Sequence, residues 1–432
     1  MAKCISRRYF ISMAGLATAA IAAAGITGCS ASGNGGGNAG TTGSGSELDL
    51  SNWDAVLEAA KGSTVTYSGY GQATAVNDYF NNIFAPKLKE KYDIDFNYLQ
   101  VSATADVWTA VTDEKQAGKK LGEGSVDTAW VSGVYFDDAK DGNLLYGEYL
   151  KYLPNMKYYD ADSASINYDC GAKIDGMESL FATSYFAVIY DAARVDEKDV
   201  PTNANALLEY AKAHPGRVTY TALPDYQGCY WARNLVMDVC GADCFSKFEK
   251  GVTANELKEG IADGLAYLRE LAPFLWKEGK TYPSTFSDWC TMFANGEVDF
   301  IYDQAWVKPF IDAGTYPATT HSVVCDKVIS LPHYLTIPFD CPNLAAALVM
   351  CNEFLDPEGM CERSATGYPP AVDAMDMNTL SDEQKAAIAN CEKEYGVNAP
   401  SLSNLGAHAV ADMPAWVESV WHDVWLSEVA NK

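Results

Sequence analysis

The sequence predicts an α/β protein of two lobes, each a mainly parallel sheet flanked by helices, with a cleft between the lobes. Three observations lead there. Strand-like and helix-like patterns alternate through the first third of the chain and restart near residue 181. About 386 residues follow a leader of low complexity, more than one hydrophobic core usually holds. With 48% hydrophobic and 12% aromatic residues, there is apolar material enough to fill two cores.

The first 46 residues are read apart from the fold. Lys3, Arg7 and Arg8 give a positive start, and residues 13–26 are a run of small and apolar side chains. As a helix that run spans about 21 Å, short of the roughly 30 Å hydrocarbon core. Residues 1–28 are therefore expected to be a signal peptide. Ser6-Arg7-Arg8-Tyr9-Phe10-Ile11 resembles a twin-arginine export signal. Ile26-Thr27-Gly28-Cys29 resembles a lipobox, in which the Cys29 thiol is alkylated with diacylglycerol and becomes the mature N-terminus. Residues 29–46 are almost all Gly, Ser, Asn, Thr and Ala. They have nothing to bury, so a flexible, lipid-anchored linker is expected.

Val65-Thr66-Tyr67 reads as the first strand and runs into Ser68-Gly69-Tyr70-Gly71. Val76, Tyr79, Phe80, Ile83 and Phe84 recur at helical spacing, and Pro86 is expected to kink that helix. Residues 96–101 alternate as a strand, Asp106 can cap a helix running through Lys115, and residues 126–131 form a third strand leading into Ser132-Gly133. The pattern restarts with β-rich residues 181–190, a helix over 203–214, a strand over 218–221 and a helix after Asp225. Thr253 with Glu256 makes a capping box ahead of Leu257, Ile261, Leu265, Leu268, Leu271 and Leu275 on one stripe. A helix over 286–295, a strand over 299–302 and strands over 328–331 and 334–337 follow. Helices are expected over 342–355 and after the Ser381 and Gln384 cap. From Pro414, Trp416, Val417, Val420, Trp421, Val424 and Trp425 form an amphipathic helix.

Lys and Arg number 31 and Asp and Glu 57; removing the three basic residues of the leader leaves 28 against 57, a net charge of −29. Nucleic acid is excluded as a partner, because phosphates need a basic face. Cys4 falls in the leader and Cys29 takes lipid, so ten of the twelve cysteines remain. In an exported chain an even set favours disulfides. At least three are expected, with Cys240–Cys244 and Cys351–Cys361 the nearest local pairs. With no CxxC pair and five scattered His, neither a metal nor a cofactor is expected.

The chain resembles the extracellular solute-binding proteins of ABC transporters, with the type 2 periplasmic-binding fold, and within them the YnjB-like group. This group is related to the thiamine, iron and polyamine binders. Residues spread over some 380 positions carry the resemblance: Trp53 to Gly62 before the first strand; Gly124-Ser125-Val126-Asp127 with Trp130-Val131-Ser132-Gly133 and Phe136; Leu223-Pro224-Asp225; residues 293–299; Ile337-Pro338-Phe339 with Pro342-Asn343; and Leu355-Asp356-Pro357-Glu358. Each is short, and their order and spacing make the match. The resemblance implies at least two crossings between lobes, expected near residues 184–189 and 302–308. Lobe 1 is then 47–184 with 306–360, and lobe 2 is 185–305 with 361–432. It also implies a monomer that binds one small solute and hands it to membrane permease subunits.

Ligands of such folds sit at the carboxyl ends of parallel strands. Lobe 1 then offers Ser68, Gly69, Tyr70, Trp130, Ser132 and Gly133; lobe 2 offers Asp225, Tyr226, Gln227, Asp303, Gln304 and Trp306. Backbone N–H groups at the 68–71 turn suit an anionic group, although a plain strand-to-helix turn needs the same glycines. Asp225 and Asp303 suit a cation, and Asp equally caps helices. Trp130 and Trp306 suit a cationic or aromatic solute, while core packing is the ordinary use of Trp. Tyr158-Tyr159 is similar to the paired tyrosines of iron binders but precedes the first crossing, so iron is not expected. No HExxH, GxSxG or P-loop motif occurs, and no GxGxxG follows a strand, so an enzyme is not expected. An adhesin would show repeats, and none is visible. Acidic loops mixed with Trp and Tyr favour a cationic or heteroaromatic solute, thiamine- or polyamine-like; an anionic or neutral solute held by backbone donors is the alternative.

Overall fold

The computed structural model of the protein describes residues 48–71, 74–101, 104–131 and 133–431. The expected signal peptide, Cys29, the linker and Ser132 lie outside these residues. The described strands are β1 (Thr64–Tyr70), β2 (Asp95–Val101), β3 (Thr128–Val131), β4 (Tyr168–Asp169), β5 (Ala172–Lys173), β6 (Glu178–Asp191), β7 (Phe300–Gln304), β8 (Thr320–Val323), β9 (Val328–Thr336) and β10 (Ala409–Val410). The main sheet runs β2-β1-β3-β9-β6-β7, with β8 on β6 and β10 on β9. β4 and β5 form a separate small hairpin.

The first lobe follows the expected strand–helix alternation. β1 lies parallel between β2 and β3. Tyr67 of β1 stacks on Tyr98 of β2 at 5.5 Å, and Phe80 and Phe84 pack onto the same face. Val76, Tyr79, Phe80 and Phe84 are buried, whereas Ile83 is 46% exposed. The helix runs on past Pro86, with a widened turn just before it where the kink is expected. Helix Thr74–Tyr79 passes through a π turn, Phe80–Phe84, into helix Ala85–Tyr92. The Ala85 N–H bonds back to Phe80 O, and this wide turn ends where Pro86 has no N–H to give.

Two cores divide the molecule. One gathers Val65, Leu88, Phe136, Leu348 and Phe354, and the other Phe186, Trp231, Leu268, Trp289 and Trp421. β6 threads both, with Leu180 to Ala182 in the first core and Tyr185 to Tyr190 in the second. β9 does so in reverse, with Val328, Ile329 and Leu331 in the second core and Tyr334 and Leu335 in the first.

The return crossing therefore lies in β9, not near residues 302–308. After β7 the chain turns back into β8, which pairs with the lobe 2 half of β6. Trp306, Val307 and Tyr316 accordingly pack in the second core, where the sequence reading had placed residues 306–360 in lobe 1. Conversely Ala371, Ala374 and Leu380 pack in the first core. Helix Asp382–Tyr395 makes a further passage, with Ile388 in the first core and Cys391 in the second.

The second lobe departs from a mainly parallel sheet, because β7 and β8 both pair antiparallel with β6. Residues 218–221 are buried but form no ladder; Val218 O accepts from Trp276 N at 2.8 Å instead. Both capping boxes form, at Thr253 and at Ser381. The leucine stripe from Leu257 to Leu275 is buried throughout. The C-terminal helix Glu418–Trp425 seals this core with Trp421 and Trp425.

All ten cysteines of the described chain are thiols. Cys351 is buried beside the Tyr149 hydroxyl at 3.9 Å. Cys361 meets Cys391 rather than Cys351, because helix Pro357–Arg363 lies along helix Asp382–Tyr395.

Candidate functional site

The carboxyl ends of β1 and β3 face the junction of the lobes. Ser68 and Gly69 are buried, and the Ser68 hydroxyl has no partner. A side chain at Gly69 would meet the Tyr67 ring at 2.5 Å, so packing alone explains that glycine. Tyr70 closes β1. Trp130, half-buried on β3, is flanked edge-on by Tyr368 and His333, both at 5.6 Å, and by Phe181 at 6.2 Å. Tyr368 reaches there because Gly367 takes φ +92°, turning the chain out of the short helix Ser364–Thr366. His333 Nε2 lies 3.0 Å from Ser184 Oγ, bridging β9 and β6 at the crossing. Burial pushes its imidazole down to about 3, so the ring is neutral.

Gly133 caps helix Val134–Asp141 with φ +57°, a conformation that favours glycine. Its N–H donates to the Asp169 carboxylate. Burial outweighs that bond and pushes Asp169 up to about 7. Glu178 is buried with both carboxyl oxygens unpartnered, and burial, then the charge of Asp169, raises it further.

Across the junction stands helix Tyr226–Cys240. Tyr226 is 46% exposed, and the protein atoms crowding its hydroxyl raise its phenol. It lies 4.6 Å from Tyr230 and is within electrostatic reach of Tyr368 from the other lobe. Tyr230 stacks on Phe186 at 4.2 Å. Arg233 lies over the Tyr230 ring at 3.7 Å and pairs with Asp412 at 2.7 Å. Asp412 also accepts from the Tyr230 hydroxyl at 2.9 Å.

The lobes touch beside this group. Ala415 N–H donates to Cys170 O at 2.8 Å, and Lys250 of lobe 2 bridges Asp137 and Asp141 of lobe 1 at 2.8 and 3.0 Å.

Of the residues nominated from sequence, Trp130 and Tyr226 share Tyr368 as a neighbour, Trp130 by ring contact and Tyr226 within electrostatic reach, while Gly133 sits beside Asp169 and Cys170. The others in lobe 2 have different partners. Asp225 accepts from the Thr221 hydroxyl and, at 3.1 Å, from Phe286 N. Asp303 accepts from the Tyr316 hydroxyl at 2.8 Å and from Gln227 at 3.4 Å; burial pushes it up to about 6. Gln304 ends β7 opposite Phe186, and Trp306 is buried in the second core, 6.3 Å from the Tyr395 ring. Tyr159 is buried with its hydroxyl on Leu355 O at 2.9 Å, an ordinary core contact. Sequence reasoning missed Tyr368, His333, Tyr230, Arg233 and Asp412. None sits in a motif, and only their meeting in space marks them. Among the described residues, Cys229, Glu418 and His422 place three metal-ligating atoms within 4.8 Å of one another.

The family model described as bacterial extracellular solute-binding protein matches residues 84–390. Protein YnjB of Escherichia coli K12 is 29% identical over 341 residues, covering 78% of this chain and 86% of that protein. Among solved structures, the spermidine/putrescine ABC transporter substrate-binding protein PotD of Streptococcus pneumoniae has a TM-score of 0.60 at 13% identity, covering 85% of this chain and 98% of that one. The Tp0655 (TpPotD) lipoprotein of Treponema pallidum has a TM-score of 0.56 at 15% identity, with 84% and 99% covered. The GacH receptor of Streptomyces glaucescens, solved unliganded and with acarbose, has 0.60 at 15%, with 85% and 92% covered. At these identities the solved structures speak for the fold.

Proposed function

The chain belongs to the bacterial extracellular solute-binding protein family, and on that footing we propose that it captures a small cationic or heteroaromatic solute between its lobes and delivers it, as a monomer, to the permease of an ABC importer. One observation carries the choice of solute. Rings of both lobes meet at the junction, Trp130 and Tyr368 from one and Tyr226 from the other. A cation or flat heterocycle between such faces gains about 0.5–2 kcal/mol per ring. The lobes close about β6 and β9 as the solute binds both faces, because contacts with both favour the closed form.

Native mass spectrometry of protein purified without unfolding identifies the solute. Titration followed by intrinsic fluorescence then measures its affinity. Trp130→Ala and Tyr226→Ala are each expected to weaken it about tenfold. A bound solute with neither positive charge nor aromatic ring, or wild-type affinity in both variants, overturns the reading.

The chain is further proposed to be exported by the leader of residues 1–28 and held at the outer face of the membrane by lipid on Cys29. Cys29→Ala should then move it from the membrane fraction to the soluble one; a variant that stays membrane-bound at high salt sinks the anchor. In that oxidising setting at least three disulfides are proposed to form, Cys240 with Cys244 among them, and the nearness of Cys361 to Cys391 rather than Cys351 favours that pair as a second. Labelling unfolded, unreduced protein counts them, and ten free thiols in the mature domain would defeat the idea.

A further inference from the structure

We propose that Cys229, Glu418 and His422 form a binding site for one zinc-class divalent cation in the second lobe, bordering the ring-lined junction through Arg233. Glu418 and His422 stand four residues apart on one face of helix Glu418–Trp425, and Cys229 comes from the first turn of helix Tyr226–Cys240. Cys229 Sγ lies 3.3 Å from His422 Nε2, which lies 3.8 Å from Glu418 Oε1. Zinc bonds to S, N and O run about 2.3, 2.0–2.1 and 2.0–2.2 Å, so the edges of a tetrahedron around it are roughly 3.3–3.7 Å. The three donors thus need only side-chain adjustments to share one ion. A mixed thiolate, imidazole and carboxylate set suits zinc among the common divalent cations.

The surroundings fit a bound thiolate. Trp421 is fully buried, its indole N–H has no acceptor, and it lies beside the Cys229 sulfur. A thiolate held by a metal supplies that acceptor. Arg233 NH1 is 3.9 Å from the same sulfur and 4.0 Å from Glu418, while its other arm holds Asp412. With the cation in place, the charges of metal and Arg233 balance those of the Cys229 thiolate, Glu418 and Asp412. Arg233 and Trp421 then act as donors to the sulfur from outside the ligand set. Glu418 and His422 keep 36% and 25% of their side chains exposed, which leaves an entry path and a fourth position open to solvent.

Cobalt titration of the full, chelator-stripped chain tests the site, since Co²⁺ reports thiolate ligation by a charge-transfer band. One equivalent should raise that band, and Zn²⁺ should displace it. Cys229→Ser should abolish the band, and His422→Gln should weaken binding at least tenfold. Cys240→Ser and Cys361→Ser should leave both unchanged. Circular dichroism checks the fold of each variant; if Cys229→Ser does not fold, His422→Gln, at a partly exposed position, carries the test. No band at one equivalent, a band that survives Cys229→Ser in folded protein, or wild-type affinity in His422→Gln overturns the site.

Discussion

The two faces of the lobe junction hold their buried carboxyl groups in opposite ways. On lobe 1, Asp169 has a backbone N–H for company and Glu178 has no partner at all. On lobe 2, Asp412 has the Arg233 guanidinium at 2.7 Å and three further donors, Tyr230, Met413 N and, at 3.9 Å, the Cys170 thiol. Burial raises all three carboxyls; Arg233 is the main pull the other way at Asp412, whereas at Glu178 the nearby Asp169 adds to the rise and Lys140 opposes it only behind both. The difference teaches that burial alone does not tell whether an acid is charged. At neutral pH lobe 2 presents a fixed ion pair, whereas lobe 1 presents acids poised to be neutral.

The largest expected effect breaks the lobe 2 half of this contrast. Arg233→Met leaves Asp412 buried without its cation, at a cost of about 3–5 kcal/mol. Denaturant unfolding measures it, and a loss under 1 kcal/mol would show that the pair is not buried as described.

The next effect concerns lobe 1 and pH. The folded-state pKa of Asp169 is raised from 3.8 to about 7. Between those values the folded chain holds a proton that the unfolded chain has released, so stability falls as pH rises through this window. Each such group contributes a slope of up to about 1.4 kcal/mol per pH unit. Asp169→Asn keeps an acceptor for Gly133 N–H and should flatten the loss between pH 5 and 7 by roughly that slope. Melting curves at several pH values check it; equal slopes in wild type and variant would place the charge elsewhere.

The smallest effect lies at the rim that joins the faces. Lys250→Ala removes two half-exposed ion pairs between the lobes, each worth about 0–1 kcal/mol. Solute affinity should fall less than about fivefold, and the difference should shrink in high salt. A salt-independent loss would mean that Lys250 touches the solute.

Much of this architecture is written locally. Capping boxes at Thr253 and Ser381, the stripe from Leu257 to Leu275 and the alternation of β2 each lie within one short window, so periodicity and cap chemistry suffice to find them. The candidate site was legible only as strand and helix ends. Trp130 and Gly133 follow from the rule that ligands sit at strand ends, and Tyr226 from the helix start opposite. Asp225 and Asp303 show the limit of that rule, because whether a strand-end acid faces a cleft or its neighbours depends on what packs beside it.

By itself the sequence determined the two lobes, the family and most elements, since these rest on composition, period and short motifs. The fold alone decided where the chain returns to the first lobe, because β9 becomes a crossing only once β8 has paired with β6. It alone brought together Ser184 with His333, 149 residues apart, Arg233 with Asp412, 179 apart, and Cys229 with His422, 193 apart. Such pairs leave no spacing to read. Their partners are chosen by the closure of the whole chain around its two cores, and no local pattern records that choice.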